Sequence, residues 1–278
     1  MFATIGRTWG LFKASFGILQ KDRELIFLPL LSFVVIAVVA AVFAALALAA
    51  GSFDRLSADE AKRQVELVDV VLGVVFVVLA TYAGIFFNAA LVAAAMERLR
   101  GGNPTVGSGL SAVLPYAHNI FGWAVITASV GIVLRVLRMR SDNFLSRLAL
   151  DLVGGIWAYV TFFVVPVLVV QGLSPIGAIK ESGSLFRRTW GEQVTANFGF
   201  GLFYIVAFLP AVAVGMVVAA VNLAAGVIVG VLLVALATAF VAAMEGIFKA
   251  ALYQYATDGV APRGFEQEDL GKSYQRVF

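Results

Sequence analysis

Glu245 and Lys249 stand four residues apart in the apolar run AFVAAMEGIFKAALY. That spacing puts a carboxylate and an ammonium on one face of a helix. A carboxylate inside a membrane helix is a functional suspect, suited to passing a proton. The plainer reading is a local ion pair whose lysine reaches towards headgroups. Asn88 in FFNAAL and Pro166 in FFVVPVLVV occupy matching places in two other apolar runs. An asparagine can bond between helices and a proline bends its own. Two interrupted helices could form a carrier's substrate site, or supply only packing glue and a kink. A third set, Asp69, Arg135, Arg138, Arg147 and Asp151, could hold an anion or lipid headgroup, or form mutual salt bridges.

Other chemistries lack their residues. The chain has no cysteine and one histidine, His118, which removes thiolate sites and most metal schemes. It carries no phosphate-binding loop of the Walker type, no G-x-S-x-G and no H-E-x-x-H. An enzyme is therefore not expected, nor a cofactor or metal. Asn103-Pro104-Thr105 reads as a helix-entry turn, because the corresponding place in the second half of the pattern holds Leu173-Ser174-Pro175 and so no channel-type pair of Asn-Pro turns.

The elements that position these groups are set by lipid. The 278 residues are 61% hydrophobic and 13% charged, about half the charge of a soluble domain. Six apolar stretches approach or exceed the roughly 20 residues that cross a bilayer as helix: 26–50, 67–96, 120–137, 148–170, 198–221 and 226–252. The expected fold is an all-α integral membrane protein, with one six-span domain over 1–255 and a short polar tail over 256–278. The net charge of +3 is scattered between apolar runs, which favours anionic lipid over nucleic acid as the partner. Most Lys and Arg fall on the side of the N-terminus, so both termini are expected in the cytoplasm of a cell-membrane protein. Arg135, Arg138, Arg140 and Arg147 are then out of place, unless they lie at an interface or a local anionic group holds them.

The string RTWG occurs at 7–10 and again at 188–191. Each copy lies in a stretch with helical periodicity ahead of an odd-numbered span: Phe2, Ile5, Trp9, Phe12, Phe16 and Leu19 in one, Ile176, Ile179, Gly183, Phe186 and Trp190 in the other. Val106, Leu110, Val113, Ala117 and Ile120 repeat the pattern ahead of span three. Three amphipathic interface helices are expected, with Arg7, Trp9, Lys13, Arg187, Arg188 and Trp190 at lipid headgroups. Even spans run out into GGNP, GLSP and GVAP, where Gly suits a helix end and Pro the next beginning. The pattern implies a threefold repeat of interface helix, span, span. Ala211, Gly215 and Ala219 face Gly226 and Gly230 across a short link, as small residues would in a close hairpin. Phe86, Phe87, Phe162 and Phe163 are expected on an apolar surface, which leans towards a homo-oligomer or larger complex.

The stretches FFNAALVAAAMERLRGGNPTV, FFVVPVLVVQGLSP and SLFRRTWGEQ, with the opening WGLFKASFGILQKDRELIFLPLL, resemble an uncharacterised family of prokaryotic six-span membrane proteins, over most of residues 1–255. That family is similar in layout to the membrane domain of some glycerophosphodiester phosphodiesterases. The resemblance implies a fold and a bacterial-type membrane, and no activity. The function expected is a lipid-interacting scaffold or accessory subunit, the alternative a small transporter.

Overall fold

The computed structural model describes residues 2–57, 65–141, 143–190, 200–265 and 270, without the side chains of residues 2–9, 56, 57, 190 and 200–203. Every element among them is helical. The order is α1 (Phe2–Lys21), α2 (Phe27–Ala49), a short α3 (Ser52–Ser57), α4 (Leu67–Leu99), α5 (Val106–Val113), α6 (Ala117–Met139), α7 (Phe144–Val160), α8 (Val164–Gln171), α9 (Pro175–Trp190), α10 (Phe200–Val221) and α11 (Leu223–Asp258). Six membrane-length apolar segments result: α2, α4, α6, the α7–α8 pair, α10 and α11. The protein is an all-α, multi-pass membrane protein.

Gly172 ends α8 and Gly259 ends α11, both with positive φ that a side chain would resist. After Gly101 and Gly102 the chain turns into α5, whose N-cap Thr105 accepts from the Ser108 amide while Ser108 Oγ accepts from the Thr105 amide. That reciprocal cap is a helix-entry turn of the kind the Asn-Pro-Thr string suggests.

Span four is broken. Pro166 lies in the first turn of α8, where its missing N–H costs nothing, but its ring crowds the carbonyl four residues back, at Phe162. The helix therefore yields at residues 161–163, between α7 and α8. The Phe163 amide, which the break frees, donates to the fully buried Ser182 Oγ of α9 at 2.9 Å. A surface helix thus satisfies a donor that would otherwise be orphaned in an apolar setting.

The core sits at one end of the bundle. It takes the last three turns of α4, α8 as far as Val169, the last turns of α11 and the first turns of α2 and α6. α1, α5 and α9 are built into it: Leu11, Ile18 and Leu19 of α1 and Ala178, Leu185 and Phe186 of α9 are core residues. At α5, a Cβ on Gly109 would stand 2.8 Å from the Ala90 carbonyl oxygen of α4, so only glycine lets the two backbones meet. The opposite end is open. Between Pro29 and Ser52 nothing is buried, α7 contains no buried residue, and the first half of α4 is flanked by α2, with the Phe43 and Phe76 rings 5.8 Å apart, and is exposed elsewhere. The close hairpin of small residues forms as the spacing requires. A Cβ on Gly215 would lie 2.7 Å from the Gly230 Cα, and one on Gly226 would run into Ala219.

Four expectations need correction. The buried face of α9 centres on Ala178, Ser182, Leu185 and Phe186, while Ile176 is exposed; α1 is likewise rotated, burying Leu11, Ser15 and Ile18. Both helices pack against helices on one side, so small residues and serine face inward where bulky ones would not fit. Among the described residues the three surface helices run over 20, 8 and 16 residues. Phe162 and Phe163 are buried inside the chain, not on an apolar surface, while Phe86 and Phe87 are half-buried against the core. Finally, residue 255 falls inside α11, and Phe265 and Leu270 join the core, so the segment after 255 is not merely a polar tail.

Candidate functional site

The break in span four, α9 and the ends of α10 and α11 bring the polar groups of the packed end together. Lys249 Nζ lies 2.8 Å from Glu245 Oε1, and the Tyr204 hydroxyl of α10 donates to Glu245 Oε2 at 2.9 Å. Lys249 also stands over the Phe162 ring, 5.7 Å from its centroid. That is a cation–π arrangement at the break itself. Phe162, Phe163, Phe186 and Tyr159 interlock around it, with ring centroids 4.3–5.9 Å apart. The carboxylate is therefore held by two donors from two helices, and its lysine by a ring from a third. Tyr204 carries no motif and sits 41 positions from Glu245, so spacing alone could not nominate it.

Asn88 and Pro166, the matched pair of spans two and four, differ in setting. Pro166 is buried, and Asn88 is half-buried with no hydrogen bond to any described residue. Asn88 is not gluing two helices together. The clamp at this level is Asp22 with Arg98: Nε and a terminal nitrogen of Arg98 donate to the two carboxylate oxygens of Asp22, fastening the start of span one to the end of span two. Gln171, at the end of α8, similarly donates to the Tyr253 hydroxyl of α11 at 3.1 Å.

Of the headgroup candidates, Arg7, Trp9 and Trp190 lie on helical backbone with side chains outside the described residues. Lys13, Arg187 and Arg188 are exposed. Arg188 also donates to Glu181 at 3.1 Å.

The five-residue charge cluster at the open end is divided. Asp69 pairs with Arg55 of α3, at 2.7 Å, and its other oxygen also caps the Glu66 amide. Hydrogen bonding to Asp69 raises the Arg55 guanidinium above its ordinary value. Arg138 pairs with Asp151 across the α6–α7 hairpin, Arg147 Nε donates to the Ser141 carbonyl at 3.1 Å, and Arg135 is exposed without an ion pair among the described residues. Arg55 is the partner that the sequence did not nominate; its N-terminal neighbour Asp54 hides it in a mixed-sign run.

Apolar clefts open between the spans. One of about 460 Å³ lies along the α10–α11 hairpin beside Phe33, and one of about 260 Å³ between α2 and α4, floored by Phe43 and Phe76. Neither presents a catalytic constellation. Residues 67–264, from the first turn of α4 to just beyond α11, match a family of unknown function, DUF6159. The chain belongs to DUF6159. No curated protein and no solved structure matches it. The matched region holds Glu245, Lys249, Tyr204, the span-four break and the whole of α9, while Asp22 and the first span precede it.

Proposed function

We propose that this DUF6159 protein is a non-enzymatic, lipid-interacting scaffold or accessory subunit of the cell membrane, with both termini in the cytoplasm. One observation carries the reading: the surface helices α1, α5 and α9 are part of the core, whereas much of the length of the spans is exposed apolar surface. A protein that spent its packing on a solute pathway would bury polar groups along the spans. Here such groups gather at the ends of the spans: Glu245, Lys249 and the Asp22–Arg98 pair at the packed end, and Asp69 with Arg55 at the other. The order surface helix, span, span runs three times and supports an internal repeat. Lys13 and Arg187 give the packed end exposed positive charge for anionic headgroups, each contributing about 1 kcal/mol near such a surface and less in salt. The same excess of Lys and Arg at the packed end supports a cytoplasmic orientation. The partners in this reading are anionic lipids and a larger membrane complex or second copy, with no nucleic acid.

Two measurements test it. Lipids retained by protein purified at low and high salt should be enriched in anionic species, and replacing Lys13 and Arg187 by Gln should reduce them severalfold; unchanged content in every condition removes the electrostatic role. Single cysteines at Phe53 and at Ser184 should be labelled by an impermeant reagent from opposite sides, Ser184 from the cytoplasm. The reverse pattern inverts the topology. A second reading, a small carrier, is favoured by the Tyr204–Glu245–Lys249 group beside a broken span. Solute flux into vesicles that Glu245→Gln abolishes would replace the scaffold reading with it.

A further inference from the structure

A cleft of about 420 Å³ lies at the packed end, between the end of α8, the outer face of α9 and the last turns of α11. Unlike the apolar clefts among the spans, it is lined by side chains of both charges. Arg188 and Glu181 face each other at 3.1 Å within its wall. Gln171, held by the Tyr253 hydroxyl, closes one side. Thr257 lies opposite, its hydroxyl 2.9 Å from the Asp258 carboxylate. Leu185 and Ala256 supply apolar floor. Around the cleft stand exposed apolar residues at the same end, Val170 beside Gln171 and Val260 beside Gly259.

The charge inventory decides what fits. Among the described residues that line the cleft, one guanidinium is opposed by one carboxylate, Glu181, so a ligand that carries only negative charge gains from Arg188 and loses to Glu181. A ligand with a phosphate and a primary ammonium gains from both. Its phosphate takes the two-pronged donor set of Arg188, and its ammonium gives three N–H donors to Glu181 and its neighbours. A quaternary ammonium has no such donors. We propose that this cleft binds a phosphate–primary-ammonium zwitterion, the headgroup chemistry of an aminophospholipid. The site deepens the lipid-interacting reading above and rests on it; the exposed Val170 and Val260 offer the acyl chains a surface as they leave the cleft. Its selectivity differs from that of Arg187, which is exposed without an ion pair among the described residues.

The test uses the full chain, stripped of lipid in mild detergent and re-equilibrated with an equal mixture of phosphatidylethanolamine, phosphatidylcholine and phosphatidylglycerol. Retained lipid is counted by native mass spectrometry. Wild type should retain phosphatidylethanolamine about tenfold over phosphatidylcholine. Glu181→Gln should remove that preference and raise phosphatidylglycerol, because it frees Arg188; Arg188→Gln should weaken retention of all three. Glu181→Asp, which keeps the charge, should keep the preference, and guards against a variant that merely misfolds. An unchanged lipid ratio in folded Glu181→Gln overturns the proposal while leaving general lipid binding intact. If wild type retains no lipid, the reading of the previous subsection fails. Soluble O-phosphoethanolamine, titrated into the same stripped protein, then identifies a free zwitterion as the ligand by binding in a Glu181-dependent way, and absence of that binding overturns the site as well.

Discussion

Replacing either partner of the Asp22–Arg98 clamp should destabilise the protein, and by unequal amounts. The carboxylate of Asp22 is 4% exposed and the guanidinium of Arg98 is 24% exposed. Removing one partner of a fully buried pair costs about 3–5 kcal/mol, because the other charge is left without compensation, whereas an exposed pair contributes about 0.2–1 kcal/mol. Arg98→Gln strands the nearly inaccessible carboxylate and belongs near the lower end of the buried range, about 3 kcal/mol. Asp22→Asn strands a guanidinium that a quarter of its surface lets water reach, and that already meets Asn103 Oδ1 at 3.3 Å. Its cost should be about half as large. The double variant should recover part of the loss, giving a coupling of about 1.5 kcal/mol. Unfolding of the three variants in mixed micelles by increasing SDS, followed by circular dichroism, supplies the numbers. A coupling below about 0.5 kcal/mol, or a larger loss from Asp22→Asn than from Arg98→Gln, refutes the view that this pair is a desolvated fastener between spans one and two.

Asp151→Asn, by contrast, removes a partner from a pair whose side chains are both 59% exposed, so the same unfolding assay should register a change within about 0.5 kcal/mol. Ser182→Ala leaves the buried Phe163 amide without an acceptor and should lower stability by about 1–3 kcal/mol, with faster hydrogen exchange at residues 161–163 and not at the far end of α7. Gly226→Ala drives a methyl group into Ala219 and should cost about 1–3 kcal/mol by overpacking the α10–α11 hairpin. Gly84→Ala, with open space around the new methyl, is the control, and its unfolding midpoint should stay level or rise.

What the sequence carried well is what depends on one residue and its immediate neighbours. Spans one, two and five begin and end within a few residues of their apolar runs, since hydrocarbon thickness selects length. The glycine stops at Gly172 and Gly259 were readable because positive φ has few other tenants, and Gly215 with Gly226 and Gly230 because only small side chains fit a close crossing. The kink at Pro166 was readable, but not its extent, because breaking the helix outright requires an acceptor for Phe163, and Ser182 is 19 residues away on another element. Faces of α1 and α9 were read one position off for a related reason. In an apolar chain a phenylalanine or isoleucine satisfies lipid as well as protein, so the bulkiest stripe does not mark the packed side; Ser15 and Ser182, both fully buried, mark it better. Ion-pair partners were hidden for a third reason. Asp69 had three arginines to choose from in sequence and took a fourth, Arg55, whose short helix folds back beside it.

Why packing concentrates at one end follows from where water reaches. α4 has 33 residues and α11 has 36, about 50 and 54 Å of helix, against a hydrocarbon core of about 30 Å. A tilt of about 20° absorbs only a few ångströms of that surplus. The remainder of each helix must therefore stand beyond the hydrocarbon at one end or be shared between both ends. Burial decides between these, because the late turns of both helices are core and their early turns are exposed apolar surface. Inside lipid, one apolar helix gains little by leaving acyl chains for another, and association rests on close packing of small residues, as along α10 and α11. Past the hydrocarbon, the same side chains would face water, and covering them yields the full hydrophobic stabilisation of about 25 cal/mol per Å². α1, α5 and α9 are amphipathic because they are the cover. Their apolar sides close over the late turns of α4, α8 and α11, and their exposed lysine and arginines, Lys13, Arg187 and Arg188, stay where headgroups and water meet. On that account, substitutions that shorten the surplus of α11 should detach the surface helices before they unseat the spans, and the order of those two losses is measurable by cysteine accessibility at Ser182 and at Ala211.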